Sequence, residues 1–347
     1  MNKFFGYDVV DFNADETGVV ILDQRLLPGE EVFLTLYTVE EVFDAIALLK
    51  VRGAPAIGVA AAFGLYVALL PTPNELQAFE TAFEQAYRRL MVARPTAVNL
   101  RFALDRMKDC FIANKAFDVL TIKAQLLKCA KAIKDEDILQ CKAIAENGIQ
   151  LLKKDAHILT HCNAGHLAVS RYGTALSPIY LAQQKGWSPS VFVDETRPLL
   201  QGARLTAFEL TKGGVDATLI CDNMVSSVMS QGKVDLVMVG CDRVASNGDV
   251  ANKIGTSGVA ILAKHYNIPF YVLGPTSSID TRIETGKDIV IEERPAYEVT
   301  DLYFEHPSAP KGMKVYNPSF DVTPNELITA IITEKKIYYP PYNFREE

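Results

Sequence analysis

Val239-Gly240-Cys241-Asp242-Arg243 closes an apolar run that begins at Val234, and a polar stretch through Thr256 follows it. The run predicts a buried parallel strand that stops at a carboxylate, then a loop around Gly248, then a helix opening at Asn252-Lys253. Carboxylate, amide and ammonium would gather beyond the carboxyl end of a strand, where open α/β sheets bind ligands. Backbone N–H groups at a helix start, with Lys253 beside them, suit a phosphate. An isolated Asp-Arg pair would be ordinary surface charge. The full arrangement of Asp242, Asn252 and Lys253 points to a site.

A second strand end repeats the pattern. Ala156–Thr160 is short and apolar, and His161-Cys162-Asn163-Ala164-Gly165 closes it ahead of a helix expected near His166. Cys162 would face helix N–H groups that lower a thiol's pKa, against the alternative of a buried, inert cysteine. Adjacent strand residues point to opposite faces, so a His161–Cys162 dyad is not expected. Asp194-Glu195-Thr196-Arg197-Pro198-Leu199-Leu200-Gln201 follows the strand Val191–Val193 and enters a helix at about Leu199. Gln201 and Arg197 are its ligand candidates, since both can hold hydroxyls or phosphate. Nearer the start, Arg52-Gly53-Ala54 precedes a helix, with Gly53 free to bring backbone close to a ligand, and Arg94 stands ahead of another.

Two kinds of element position these residues. Gly18–Asp23 and Glu31–Tyr37 read as short antiparallel strands. Helical spacing then runs through Val39–Val51, Ala54–Leu70, Asn74–Val92, Val98–Ala113 and Phe117–Lys154. Beyond Asp155, apolar runs at Ala156–Thr160, Val191–Val193, Ala217–Cys221, Val234–Val239, Phe270–Leu273 and Ile289–Ile291 alternate with helical stretches. That alternation indicates βαβ units. The fold class is therefore α/β: a small, mostly helical N-terminal domain with a short antiparallel sheet over residues 1–125, and a larger Rossmann-like parallel-sheet domain over 126–347. A site between the two would close over its ligand and exclude water. The aromatic stretch Ile337–Tyr342 is expected to pack on a neighbouring domain or subunit.

Composition narrows the function class. A net charge of −7 without a block of like charge argues against a nucleic-acid surface. The N-terminal residues lack a long apolar segment, so a signal peptide is not supported. Ala54–Leu70 is apolar but rich in Ala and Gly, and reads as a buried helix rather than a membrane span. Six cysteines without a C-x-x-C pair suit a reducing compartment and argue against structural zinc. Neither a phosphate loop nor a dinucleotide fingerprint occurs, and the five histidines show no H-E-x-x-H spacing. A cytoplasmic enzyme without metal or other cofactor is expected.

Arg52–Gly58, Arg94–Leu100, Thr160–Gly165, Asp194–Glu209 and Gly240–Thr256 occur in an order that resembles the methylthioribose-1-phosphate isomerase family. These are aldose-1-phosphate isomerases related to the regulatory subunits of a translation-initiation guanine-nucleotide exchange factor. The resemblance runs from about Leu22 to Tyr316. It implies that Asp242 is the catalytic acid and Cys162 the second catalytic residue. It implies that Arg52, Gly53, Ala54, Arg94, Gln201, Asn252 and Lys253 bind substrate, and that the protein is a homodimer. The reaction implied converts 5-methylthioribose 1-phosphate to 5-methylthioribulose 1-phosphate, in methionine salvage. Two departures bear on the substrate: His166 stands where the family carries a small residue, and the segment Phe5–Val10 lacks a Trp-containing opening. 5-Deoxyribose 1-phosphate is the near alternative and ribose 1,5-bisphosphate a more distant one. A non-catalytic sugar-phosphate-binding regulatory subunit is the reading outside enzymes, and the coexistence of Cys162 with Asp242 argues against it.

Overall fold

Thr38 and Glu41 form a capping box that starts α1 (Val39–Ala47) in the computed structural model, which describes residues 5–94 and 98–345. The Glu41 N–H donates to Thr38 Oγ1 at 3.2 Å, and the Thr38 N–H donates to Glu41 Oε2 at 2.9 Å. Donors that a helix start leaves open are thereby satisfied. The next helices are α2 (Ala54–Leu69), α3 (Leu76–Met91), α4 (Val98–Asn114) and α5 (Val119–Gly148). Helical spacing gathers Phe79, Phe83, Ala86 and Leu90 of α3 on one buried face. The Ala, Gly and aliphatic residues of α2 are instead buried almost all round, as a central helix requires. At Gly58 an added Cβ would lie 2.8 Å from the Asn99 carbonyl oxygen, so this residue sets how closely α2 meets α4. Among the described residues no helix is long and apolar enough to cross a membrane.

Strands β1 (Val10–Phe12), β2 (Val19–Leu22) and β3 (Phe33–Leu36) form a small antiparallel sheet, with Val10 opposite Ile21 and Ile21 opposite Leu34. This sheet and the helices up to Gln140, together with residues 166–173, make one unit of the molecule. Residues 141–165 and those from Thr174 onward make the other, so the division falls inside α5.

The second unit is built on β4 (His157–Thr160), β5 (Ser190–Asp194), β6 (Asp216–Ile220) and β7 (Leu236–Val239). A separate small sheet follows in sequence from β8 (Arg243–Ala245) and β9 (Val250–Lys253), and β10 (Phe270–Leu273) returns to the large one. β11 (Ile279–Asp280) and β12 (Phe320–Thr323) complete the small sheet, and β13 (Ala330–Ile332) and β14 (Ile337–Tyr338) the large. The seven-stranded sheet has the order β14-β13-β10-β7-β4-β5-β6, parallel throughout except at the edge strand β14. All four residues of β7 are buried, which is why it reads as an unbroken apolar run. The four-stranded sheet has the order β11-β8-β9-β12. Between the strands lie α6 (Ser177–Gln184), α7 (Ala207–Lys212), α8 (Val225–Ser230), α9 (Thr256–His265) and α10 (Tyr297–Thr300).

Several expectations about elements need correction. Asn252 and Lys253 end strand β9 instead of opening a helix. They pair antiparallel with β12, and the chain turns at Gly255, φ 104°, before α9 starts at Thr256. No α-helix begins near His166: one short turn, His166–Ala168, stands there, and α6 waits until Ser177 with Pro178 in its first turn. After β5, Leu200 has φ 55°, and the helix runs from Gln201 through a π-helical stretch, Gly202–Thr206, into α7. Ile289–Ile291 forms no strand; Ile289 instead packs on Ala245 and Ala251 of the small sheet. Of the C-terminal aromatic stretch, Tyr338 and Tyr342 pack within their own unit, the buried Tyr342 donating its hydroxyl to the Ile328 carbonyl at 3.1 Å, while Tyr339 is exposed.

Candidate active site

From β4 the chain steps to β5 and β6 on one side, whereas β7 lies on the other side of β4. The strand order therefore reverses between β4 and β7, the place in an open parallel sheet where the chain ends diverge and leave a crevice. Cys162 follows β4 and Asp242 follows β7. Gly240 lets these two strand extensions approach, since a Cβ there would lie 2.6 Å from the Ala164 side chain. The half-buried Asp242 is fixed by its own N–H, which donates to the Ala251 carbonyl at 2.9 Å.

Cys162 is buried and held at φ 63°, a conformation that costs a non-glycine residue energy and needs outside support. Two threonines supply it. The Cys162 N–H donates to Thr196 Oγ1 at 2.8 Å, and Thr206 Oγ1 donates to the Cys162 carbonyl at 2.6 Å. Thr196 passes its own proton to Asp194 Oδ1 at 2.9 Å. Asp194 in turn meets His161 Nδ1 at 2.7 Å, and His161 Nε2 meets the Ile254 carbonyl at 2.9 Å. A carbonyl only accepts, so Nε2 carries a proton, and Nδ1 shares one with a carboxylate. Burial opposes charge on His161, but Asp194, with Asp222 behind it, outweighs burial and raises the ring above its ordinary value. Neither ring nitrogen is left to take a proton from Cys162.

Among the described residues, His161, Asp194 and Asp222 also form a group of side chains that could surround a metal ion, their ligand atoms lying within 4.8 Å of one another. A metal held by the ring would have to displace a ring proton, and at Nδ1 the contact to Asp194 as well. Asp222 is committed as well, accepting the Thr196 and Arg197 N–H groups at 2.7 Å each. Burial pushes its carboxyl up, and Asp194 adds to the effect. This hydrogen bonding is that of a proton-bearing network that fixes the loops after β4 and β5.

Gln201 is buried, and among the described residues no group donates to its Oε1. An amide oxygen shut away from water without a partner costs about 1–3 kcal/mol, which a ligand hydroxyl would relieve. Arg197 is otherwise engaged: its guanidinium donates to the carbonyls of Pro198 at 2.9 Å and Val299 at 2.7 Å and lies over Phe304. The expected anion seat at the start of α9 is filled too. Asp321 of β12 accepts the N–H groups of Gly255 at 2.8 Å and Ser257 at 3.1 Å. Asn252 is buried and donates to Thr256 Oγ1 at 3.0 Å, while the half-buried Lys253 holds its ammonium 4.6 Å above the Phe320 ring. Both remain beside Asp242's segment through the pairing of β8 with β9.

In the other unit, Gly53 has φ 90° and precedes α2; a Cβ there would fall 2.1 Å from the Ala168 carbonyl oxygen. Only glycine fits, and Arg52 and Ala54 take their positions from it. Arg94 is half-buried, and the rest of its motif, residues 95–97, lies outside the described residues. His166 is buried under aromatic rings, with the Phe5 centroid at 4.5 Å and the Tyr7 centroid at 5.3 Å. Gln24 Nε2 donates to the Leu167 carbonyl at 2.7 Å, and the Ser170 N–H to Asp137 Oδ2 at 2.7 Å, anchoring the segment after His166.

Residues 50–340 match the family model described as the initiation factor 2 subunit family. The chain belongs to that family. It is 61% identical over 329 residues to a protein of Parabacteroides distasonis named methylthioribose-1-phosphate isomerase, covering 94% of this chain and 98% of the relative. It is 55% identical over 335 residues to one of Clostridium botulinum named 5-deoxyribose 1-phosphate isomerase, covering 96% of this chain and 95% of the relative. The crystal structure of 5-methylthioribose 1-phosphate isomerase from Pyrococcus horikoshii OT3 superposes with a TM-score of 0.94 at 41% identity, covering 99% of this chain and 96% of that one. For this member of the family, sequence reasoning passed over Thr196, Thr206 and the His161–Asp194 pair. Residues 33 apart give no local signal of contact.

Proposed function

We propose that the protein is an aldose–ketose isomerase that converts 5-methylthioribose 1-phosphate to 5-methylthioribulose 1-phosphate. The observation that carries this reading is the placement of Cys162 and Asp242 beyond the carboxyl ends of neighbouring parallel strands, where the strand order reverses. The 61% identity to a relative of that name supports it. The 55% identity to a 5-deoxyribose 1-phosphate isomerase favours a second substrate that lacks only the methylthio group.

In an aldose 1-phosphate the anomeric oxygen is esterified, so ordinary mutarotation cannot open the ring. The ring C–O bond must break, and this needs an acid at the ring oxygen, the role of Asp242 with its proton retained. Hydrogen then moves from C2 to C1. Cys162 takes the C2 proton as thiolate through an enediol, or hydride shifts directly while Cys162 stabilises the charge. Gln201 Oε1 accepts a sugar hydroxyl. Lys253, Arg52 and Arg94 provide cations for the phosphate, with Gly53, Ala54 and Asn252 completing the binding set. Neither route calls for a metal or a nicotinamide. The expected setting is a homodimer in the cytoplasm.

The test compares kcat/KM for the methylthio and deoxy sugars, with Cys162→Ala and Asp242→Asn as blanks. A preference for the methylthio sugar supports the first substrate, and a preference for the deoxy sugar the second. No turnover of either, or retained turnover in both blanks, would reject the isomerase reading.

A further inference from the structure

Cys110 of α4 and Cys129 of α5 face each other across a helix seam, and neither is among the residues assigned to the isomerase reaction. Cys110 Sγ lies 3.5 Å from the carbonyl oxygen of Gln125, one turn before Cys129. Cys129 Sγ lies 3.9 Å from the carbonyl oxygen of Arg106, one turn before Cys110. This reciprocal pattern sets the two thiols side by side in the seam, each against the carbonyl one turn before the other cysteine. Both are free and only partly buried. We propose that Cys110 and Cys129 are a peroxide-sensitive dithiol that closes reversibly to a disulfide joining α4 to α5.

The surroundings favour this pair over Cys221 and Cys241. The Cys110 proton can turn from the Gln125 carbonyl to the Cys129 sulfur. That hydrogen bond first, and the nearby Arg106 guanidinium after it, bring the Cys129 thiol down to about 7 against the opposing effect of burial. The hydrogen bond to Cys129, together with burial, pushes Cys110 up, so the proton that leaves easily is that of Cys129. A partly exposed thiol near a cation is the environment of reactive cysteines, and Arg106 lowers the Cys129 thiol even though its guanidinium is paired with Glu136, whose carboxylate opposes the effect. By contrast, burial pushes the Cys241 thiol up to about 12, and the Glu195 carboxylate raises Cys221.

The chemistry balances with a hydroperoxide as oxidant. The Cys129 thiolate attacks one peroxide oxygen; an S–O bond forms, the O–O bond breaks, and the departing hydroxide takes a proton to become water. Cys129 is then a sulfenic acid. The Cys110 sulfur attacks that sulfur, the S–S bond forms, the S–O bond breaks, and a second water leaves with the Cys110 proton. Two thiols have lost two electrons and two protons to one hydrogen peroxide, and a small dithiol reverses the process by exchange.

The test treats the reduced full-length protein with a few equivalents of hydrogen peroxide, blocks the remaining thiols and maps peptides without reduction. The expected result is a crosslinked Cys110–Cys129 peptide that disappears with dithiothreitol. The oxidised protein should also melt a few degrees higher, because closing the chain between the two residues restricts the unfolded state. The Cys110→Ser variant should stop at a Cys129 sulfenic acid that a cyclic 1,3-dione traps, and the Cys129→Ser variant should leave Cys110 open to alkylation. Oxidation of Cys129 to sulfinic acid without a crosslink would overturn the proposal. So would two alkylatable thiols at these positions while another cysteine is oxidised. Both outcomes are read on the wild-type chain and do not depend on a variant folding.

Discussion

His161 and Asp194 meet at 2.7 Å in the interior of the sheet-built unit, and the other nitrogen of the same ring is closed off by the Ile254 carbonyl. The pair ties the end of β4 to the end of β5, and through Thr196 it reaches the N–H of Cys162. His161 is thus a residue that positions the Cys162 loop and does not exchange protons with it.

This arrangement fixes the sign of a pH dependence. The folded state holds His161 above its ordinary value, so its contribution to stability is whole below about 6.5 and is lost as pH rises through the folded value. Removing one member of a buried charged pair costs about 3–5 kcal/mol. His161→Ala should therefore be destabilised by that order at pH 6. Its deficit relative to the wild type should shrink on raising the pH, by up to about 1.4 kcal/mol per pH unit. Urea unfolding of both proteins across pH 6–10 provides the measurement. A deficit that grows with pH would reject the charged ring.

Asp8 gives the opposite slope in acid. Burial would raise its carboxyl, but hydrogen bonds from Arg171, at 2.5 and 2.7 Å, and the Lys134 ammonium at 2.9 Å outweigh burial and bring it down to about 2. The stability it lends is present above its unfolded value of 3.8 and is lost as pH falls through the folded one. That interval corresponds to roughly 2 kcal/mol. Asp8→Asn should lack this acid transition, visible as a flatter plot of melting temperature against pH between about 4 and 2. Parallel plots for the two proteins would count against the assignment.

Gly53→Ala adds a methyl group 2.1 Å from the Ala168 carbonyl oxygen at a residue held at φ 90°. The backbone of α2's first turn or of the segment after His166 must move, at a cost of about 3 kcal/mol or more. The expected result is a lower melting temperature together with a raised KM, because Arg52 and Ala54 shift with the turn. An unchanged melting temperature would mean that the approach of Gly53 to Ala168 is looser than described.

Much of this was legible in the sequence where a single strand or helix carries the signal. The buried run Leu236–Val239 announces a central parallel strand, and its polar end marks Asp242 as a site candidate. The helices up to α5 follow from their 3.6-residue spacing. Pairings between distant segments were not legible. Asp321 takes the N–H groups at the start of α9 that the sequence offers to a phosphate, and nothing near Gly255 announces it. The strand Val250–Lys253 is too short to show a period, so Asn252 and Lys253 look like a helix start. Arg197 looks like a phosphate ligand until the carbonyls of Pro198 and Val299 are seen to hold it.

Gln201 offers the sharpest separation of binding from stability. Its Oε1 is buried with no donor among the described residues, so the folded protein carries the desolvation cost before any ligand arrives. Replacing the amide by an apolar side chain of similar size, as in Gln201→Leu, removes that cost and should leave stability unchanged or raise it by about 1 kcal/mol. The same change deletes the acceptor for a substrate hydroxyl, which is worth about 0.5–1.5 kcal/mol. KM should then rise up to about tenfold, with a smaller effect on kcat where the bond is equally strong in ground and transition states. Melting curves and steady-state kinetics on one preparation decide the matter. A destabilised variant with an unchanged KM would make Gln201 a structural amide, whereas a stable variant with a weakened KM would assign its oxygen to the ligand.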